Sequence, residues 1–339
     1  MKRFIPVAAA GALLAVAPGA QAAVDLSGGT TRLTLDRGTA KALGSLGVKV
    51  ASTGAASAQG RHVRFPIRGG AIDPATAAGR ITHRGGLRLS AGGKRIVLRN
   101  YTVRVGRRIT LSAQVGGSRV TILNLTGTPR VSRSGFGTNV SGLTAKLNGA
   151  AARALNATFG VTAFKRGIPL GKVRVQAEAS ETELLPEGAT ALAIDPAALQ
   201  AIVGLGITPG VIGPATLSGT TASFPITGGR AALDLSAATV RHSGGLSLTK
   251  GSTVVRLTDF DIRAPQLFAS LNGGAEKVAI IDLDLSALQP TVSGRSITLG
   301  NVVAKLTHGA ADALNAAFGT TAFAGGLTLG TATVSATGK

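Results

Sequence analysis

The chain has 339 residues, no cysteine, no tryptophan and a formal net charge of +21. The absence of cysteine excludes a disulfide framework and thiolate chemistry, so stability has to come from packed cores. Aromatic residues make up only 3% of the sequence while Gly occurs 48 times, and Thr, Val, Leu and Ser recur in short alternating runs. This composition favours many short strands joined by Gly-rich turns over long helices.

The N-terminus reads as an address. Met1-Lys2-Arg3 is a basic start, Ile5 to Ala17 is apolar, and Ala20-Gln21-Ala22 has the small-residue pattern that signal peptidase cuts. Residues 1–22 are therefore expected to be a cleaved secretory signal. No second hydrophobic run of membrane-spanning length follows. The mature protein is expected to be secreted or extracellular, or associated with the cell surface by non-covalent contacts.

The remainder contains the same unit twice. Residues 154–171 read ALNATFGVTAFKRGIPLG and residues 313–330 read ALNAAFGTTAFAGGLTLG, identical at 12 of 18 positions at an offset of 159. A tandem repeat implies two copies of one structural unit. We place them at residues 23–179 and 180–339, joined at the acidic stretch 176–188. The copies differ in charge: residues 24–179 hold 25 Lys/Arg against 4 Asp/Glu, whereas residues 180–339 hold 9 against 11. The first is strongly basic and the second near neutral, so they share a scaffold but not a surface.

Each copy opens with a short strand at Leu33-Thr34-Leu35 or Leu192-Ala193-Ile194. A helix follows, with Asp36 or Asp195 placed as its N-cap rather than as a catalytic acid. The next strand carries Phe65-Pro66-Ile67 or Phe224-Pro225-Ile226. Val63, Phe65 and Ile67 share one parity and Arg64 and Arg68 the other, which gives a half-buried strand with a basic outer face. The proline argues for a sheet edge.

GRITHRGGLRLS (79–90) then pairs with ATVRHSGGLSLT (238–249), which places His83 and His242 at equivalent positions. Their parity with Ile81 and Val240 points both inward. Two readings stand: a core imidazole with satisfied nitrogens, or a pocket-lining ligand. Tyr101, the one tyrosine, corresponds to Phe260 and reads as a packing aromatic. Two residues are missing from the second copy near Gly116-Gly117 and Gly273-Gly274, where a hairpin turn absorbs the loss. Phe159, Phe164, Phe318 and Phe323, on either side of Gly160 or Gly319, are expected to plug the core after a closing helix. The fold class is thus all-β, two tandem β-sandwich-like repeats, each with two short helices.

Catalytic signatures are missing. There is no His-Glu-x-x-His, no Gly-x-Ser-x-Gly, no phosphate-binding Gly-x-x-x-x-Gly-Lys-Ser/Thr and no Cys/His cluster. A binding protein is expected rather than an enzyme. Nucleic acid is not expected as a partner, because aromatic stacking platforms are absent and the chain carries an export signal.

The order of features resembles the Htaa domain family, haem-transport-associated modules of exported actinobacterial proteins. The features are an early short helix, a strand leading into His-x-Gly-Gly-Leu, the alternating Arg95-Ile96-Val97-Leu98, a Leu-Asn-Ala helix and a final Phe…Leu-Gly strand. The resemblance implies a β-rich module that holds haem at one end, with an axial Tyr in the first strand supported by a His of the Gly-Gly segment. His83 and His242 match that His, while the first strands, Thr31-Arg32-Leu33-Thr34 and Thr190-Ala191-Leu192-Ala193, carry no Tyr. On this reading His83 and His242 are haem contacts, and Arg80, Arg84 and Arg88 meet the propionates or another anion. The alternative is a non-haem surface module whose basic first copy binds an anionic wall polymer or lipid.

Overall fold

The computed structural model describes residues 23–339, so the secretory signal read from residues 1–22 lies outside the described residues. The first copy runs β1 (Val24–Leu35), α1 (Arg37–Ser45), β2 (Lys49–Thr53), β3 (Ser57–Gln59), β4 (His62–Ile72), β5 (Gly79–His83) and β6 (Gly86–Ala91). It continues with β7 (Lys94–Val105), β8 (Ile109–Val115), β9 (Ser118–Thr126), β10 (Arg130–Ser134), β11 (Gly137–Leu147), α2 (Gly149–Phe159) and β12 (Pro169–Ala179). The second copy repeats the order with β13 (Glu181–Ile194), α3 (Pro196–Gly204), β14 (Thr208–Ile212), β15 (Thr216–Ser218), β16 (Thr221–Ala232), β17 (Ala238–His242) and β18 (Gly245–Lys250). It ends with β19 (Thr253–Arg263), β20 (Gln266–Leu271), β21 (Lys277–Asp284), β22 (Gln289–Ser293), β23 (Ser296–Leu306), α4 (His308–Phe318) and β24 (Thr328–Gly338). The acidic stretch 176–188 is taken up by β12 and β13, with only Ser180 between them.

The architecture is all-β, but each sheet closes on itself where a sandwich was expected. In the first sheet the order β7-β5-β4-β1-β12-β11-β9-β8 is closed by pairing of β7 with β8, giving an eight-stranded barrel. The second sheet closes in the same way through β19 and β20. Closure depends on the length of β7. Its first half pairs with β6 and its second half with β5, while β8 runs along the other side. A bulge at Asn100, held at φ 50°, redirects the strand between these halves, and Asp259 repeats it at φ 54°. Closing a barrel removes the exposed edges that an open sheet would leave.

Pro66 and Pro225 are not on sheet edges. Pro66 sits in β4 between the stretch paired with β3 and the stretch paired with β5. No N–H is required at that change of partner, and the Pro66 carbonyl accepts from the Arg84 N–H at 2.9 Å. The length difference between the copies also falls elsewhere than expected. Arg104 pairs with Thr110 across residues 105–109, whereas Arg263 pairs with Gln266 across Ala264-Pro265 alone. The next turn is longer in the second copy, residues 272–276 in place of Gly116-Gly117. The ladders closing the barrel fix the strand register, so length differences move into turns.

The strands alternate as a barrel wall should. In β12, Val173, Val175 and Ala177 face the interior, while Lys172, Arg174 and Gln176 face out. The helices close the ends. Asp195 caps α3 by accepting from the Ala198 N–H at 2.9 Å, whereas Asp36 holds the cap position of α1 without a side-chain bond. Gly160 and Gly319 end α2 and α4 in the left-handed region. The Asn of the repeated Leu-Asn-Ala clamps the following turn. Asn156 donates to the Phe164 carbonyl at 2.8 Å and accepts from its N–H at 2.9 Å, and Asn315 does the same to Phe323. Phe318 and Phe323 are buried as expected, while Phe159 and Phe164 are only half-buried.

Candidate functional site

His83 and His242 both point into their barrels, 3% and 6% exposed. The Nδ1 of His83 lies 3.3 Å from the Tyr101 carbonyl and its Nε2 lies 2.7 Å from the Thr31 hydroxyl. A carbonyl only accepts, so Nδ1 carries the proton, Nε2 is the acceptor, and Thr31 donates. His242 repeats the arrangement with the Phe260 carbonyl at 3.2 Å and the Thr190 hydroxyl at 2.7 Å. Burial pushes the His83 pKa down to about 4, opposed by the bond to the Tyr101 carbonyl. Burial lowers His242 as well, opposed by the Phe260 carbonyl and the Asp261 carboxylate. Both rings are neutral core imidazoles with every polar atom paired.

These residues do not fit a haem. Iron coordination at His83 would take Nε2 from Thr31 or Nδ1 from Tyr101. The Tyr101 hydroxyl is enclosed, approaches the Leu87 backbone without hydrogen-bond geometry, and has no partner. Burial raises its pKa, so the phenolate form that would bind iron is disfavoured. Phe65 packs edge-on against the Tyr101 ring, with centroids 4.7 Å apart, and Phe224 packs the same way on Phe260 at 5.0 Å. Arg80, Arg84 and Arg88 are exposed while His83 is buried: Arg80 alternates with Ile81 and His83 on β5, Arg84 is in the turn after it, and Arg88 is on β6, outside the closed barrel. The structure therefore does not bring the arginines and the histidine to one site.

The outer wall of the first barrel does form a cluster of like charge. Arg32 on β1 pairs directly with Arg64 on β4 and with Arg174 on β12. Three guanidinium groups thus stand in one row across three adjacent strands. Arg130 adds a fourth cation beside this row, opposite Ser141 at a bulge in β11. The adjacent row holds His62, Thr34 and Lys172, tied by contacts of 3.1 Å from Thr34 to His62 and 2.9 Å from Lys172 to Thr144. The ion pairs among the described residues all belong to the second copy, so no carboxylate neutralises the row.

The second barrel holds Ser223, Ala191 and Thr333 in the places of Arg64, Arg32 and Arg174. Sequence reading identified Arg64 as outward-facing but did not join it to Arg32 and Arg174. The joining is a matter of strand register between segments far apart in the chain.

No protein-family model matches the chain, and no curated protein matches it. Among solved structures, the C-terminal domain of HtaA from Corynebacterium glutamicum aligns with 45% of this chain and 98% of its own length, at 14% identity and a TM-score of 0.38. A domain-swapped dimer variant of that domain aligns with 41% of this chain and 89% of its own, at 16% identity and a TM-score of 0.32. Both are distant likenesses to part of the chain.

Proposed function

We propose that the protein is an exported, non-catalytic binding protein whose first barrel holds an anionic polymer, of the phosphate-bearing kind found in cell walls, along its outer wall. The observation that supports this reading is the unneutralised row Arg64–Arg32–Arg174. Like charges directly opposite on neighbouring strands destabilise a sheet. A polyanion lying across the row replaces that repulsion with charge-assisted hydrogen bonds, which are bidentate when Arg meets phosphate. A row of cations a strand apart matches a chain of repeating anions better than one small ligand. Haem is the weaker reading, because both histidines are locked into the core while the arginines proposed to meet propionates are exposed to solvent.

The test is retention of the full chain on immobilised inorganic polyphosphate. Retention should fall steeply with salt, since it rests on screened charges. Replacing Arg32→Ala, Arg64→Ser and Arg174→Thr installs the residues that the second barrel carries at those places, and should remove most of the retention. Retention unchanged in this variant would overturn the reading. Retention on anionic vesicles but not on polyphosphate would assign the row to lipid headgroups instead.

A further inference from the structure

The two barrels share a wall but not an interior. Inward-facing positions of the second copy are repeatedly smaller. Val63 becomes Ala222, Ile72 becomes Ala231 and Val173 becomes Ala332; Leu143 becomes Val302, Ile81 becomes Val240, and Tyr101 loses its hydroxyl as Phe260. All twelve residues are buried. The first barrel packs these side chains into one continuous core. In the second the core separates into two clusters, one along the wall and one under α4. Between them is a cavity of about 540 Å³ that reaches from Ala332 and Ala231 to Leu314 and Phe323. Deleting buried methyl groups without refilling leaves such a space and costs stability in proportion to its volume. Cavities lined by carbon stay dry and accept apolar molecules.

We infer that the second barrel is a carrier for a fatty acid, with the acyl chain in this cavity and the carboxylate at the β20–β21 hairpin. The volume lies within the roughly 300–1,000 Å³ typical of small-molecule sites. The lining is almost entirely carbon. Its buried polar pair, Thr190 and His242, is satisfied internally and offers nothing to a polar ligand. A molecule without polar groups along most of its length is therefore the one that fits.

The mouth is marked by Leu271 and Val278, which line the cavity yet are 38% and 47% exposed. Large apolar side chains left in water at the end of an apolar cavity are covered when a chain threads between them. Cations flank this point. Lys277 pairs with Ser270, next to Leu271, and Arg256 lies next to Leu257, the cross-strand partner of Leu271; neither lines the cavity, and Arg256, exposed between Val255 and Leu257, stands on the outer side of the rim. Lys277 is the more distant of two cations beside the buried Asp261 carboxylate, 3.9 Å from it against 2.7 Å for Arg263.

The inference is tested on the full chain with cis-parinaric acid, a polyene fatty acid that fluoresces when it leaves water. Saturable 1:1 binding is expected. Refilling the space with the first copy's residues at three lining positions, Ala231→Ile, Val302→Leu and Ala332→Val, should weaken binding at least about tenfold and raise the melting temperature, because the added methyl groups fill a void. Leu271→Glu alters only the exposed mouth, leaves the core untouched, and should also weaken binding by repelling the carboxylate. No saturable binding by the unaltered chain would overturn the inference. So would unchanged affinity in a folded refilled variant or in Leu271→Glu. None of these outcomes bears on polyphosphate retention, which reads the opposite barrel.

Discussion

The Thr31 hydroxyl and the His83 imidazole meet at 2.7 Å inside the first barrel, and Thr190 and His242 meet at the same distance inside the second. The contact joins the first strand of each copy to the strand ending at the Gly-Gly turn. It explains why the histidine recurs, since a buried imidazole has two polar atoms and each must be paired. Removing the hydroxyl leaves Nε2 buried and unsatisfied, a loss of about 1–3 kcal/mol. Thr31→Val and Thr190→Val should each lower stability by that amount in urea unfolding, and Thr→Ser should largely restore it.

The same burial sets a pH dependence. His83 has a folded pKa of about 4 against 6.5 for the free side chain. Between these values the unfolded chain binds a proton that the native state refuses, so stability falls as pH drops from about 6.5 to about 4. Above that window the group contributes no slope. The shift corresponds to on the order of 3 kcal/mol. Comparing the unaltered chain with His83→Gln at pH 7.5 and pH 4.5 isolates this group from the carboxylates. The difference in stability between the two pH values should be smaller in the variant. An equal pH dependence would show that His83 is not buried neutral.

Tyr101 gives a prediction of opposite sign. Its hydroxyl is enclosed without a partner, while Phe260 holds the equivalent place with the same ring packing. Tyr101→Phe removes an unpaired polar group and leaves the ring, so stability should be unchanged or higher by up to about 1 kcal/mol. A loss beyond about 1 kcal/mol in thermal or urea unfolding would mean that the hydroxyl has a partner after all.

The histidine arrangement also bears on haem. With both ring nitrogens engaged and no tyrosine in either first strand, haemin titrated into the full chain should give no saturable Soret shift that depends on His83 or His242. A 1:1 Soret band abolished by His83→Ala or His242→Ala would show that the ring leaves Thr31 or Thr190 to bind iron.

Much of this was legible in the sequence, and the limits have physical causes. The offset of 159 exposed the repeat, and parity placed Val63, Phe65 and His83 inside and Arg64 outside, because a strand's side chains alternate with period two. Parity says nothing about which strands are neighbours. A sandwich and a barrel present the same alternation, and closure rests on pairing of β7 with β8. Pro66 misled for a related reason: it lies inside the sheet at the point where β4 exchanges β3 for β5. The arginine row needed register between residues 32, 64 and 174, which no local pattern encodes. The trimmed interior was readable, since Val63 and Ala222 can be compared at the fixed offset, but the volume gained only becomes visible once the wall is closed around it.

The arginine row carries the most direct test. Arg32 stands between two cations at ladder distance, and its replacement relieves repulsion. Arg32→Thr, which keeps a β-branched strand former, should therefore hold or raise stability at low salt while weakening retention of the full chain on polyphosphate. Loss of anion binding without loss of fold is the result the account predicts. Full retention by a folded Arg32→Thr, Arg64→Ser, Arg174→Thr variant, with an unchanged salt dependence, would contradict it.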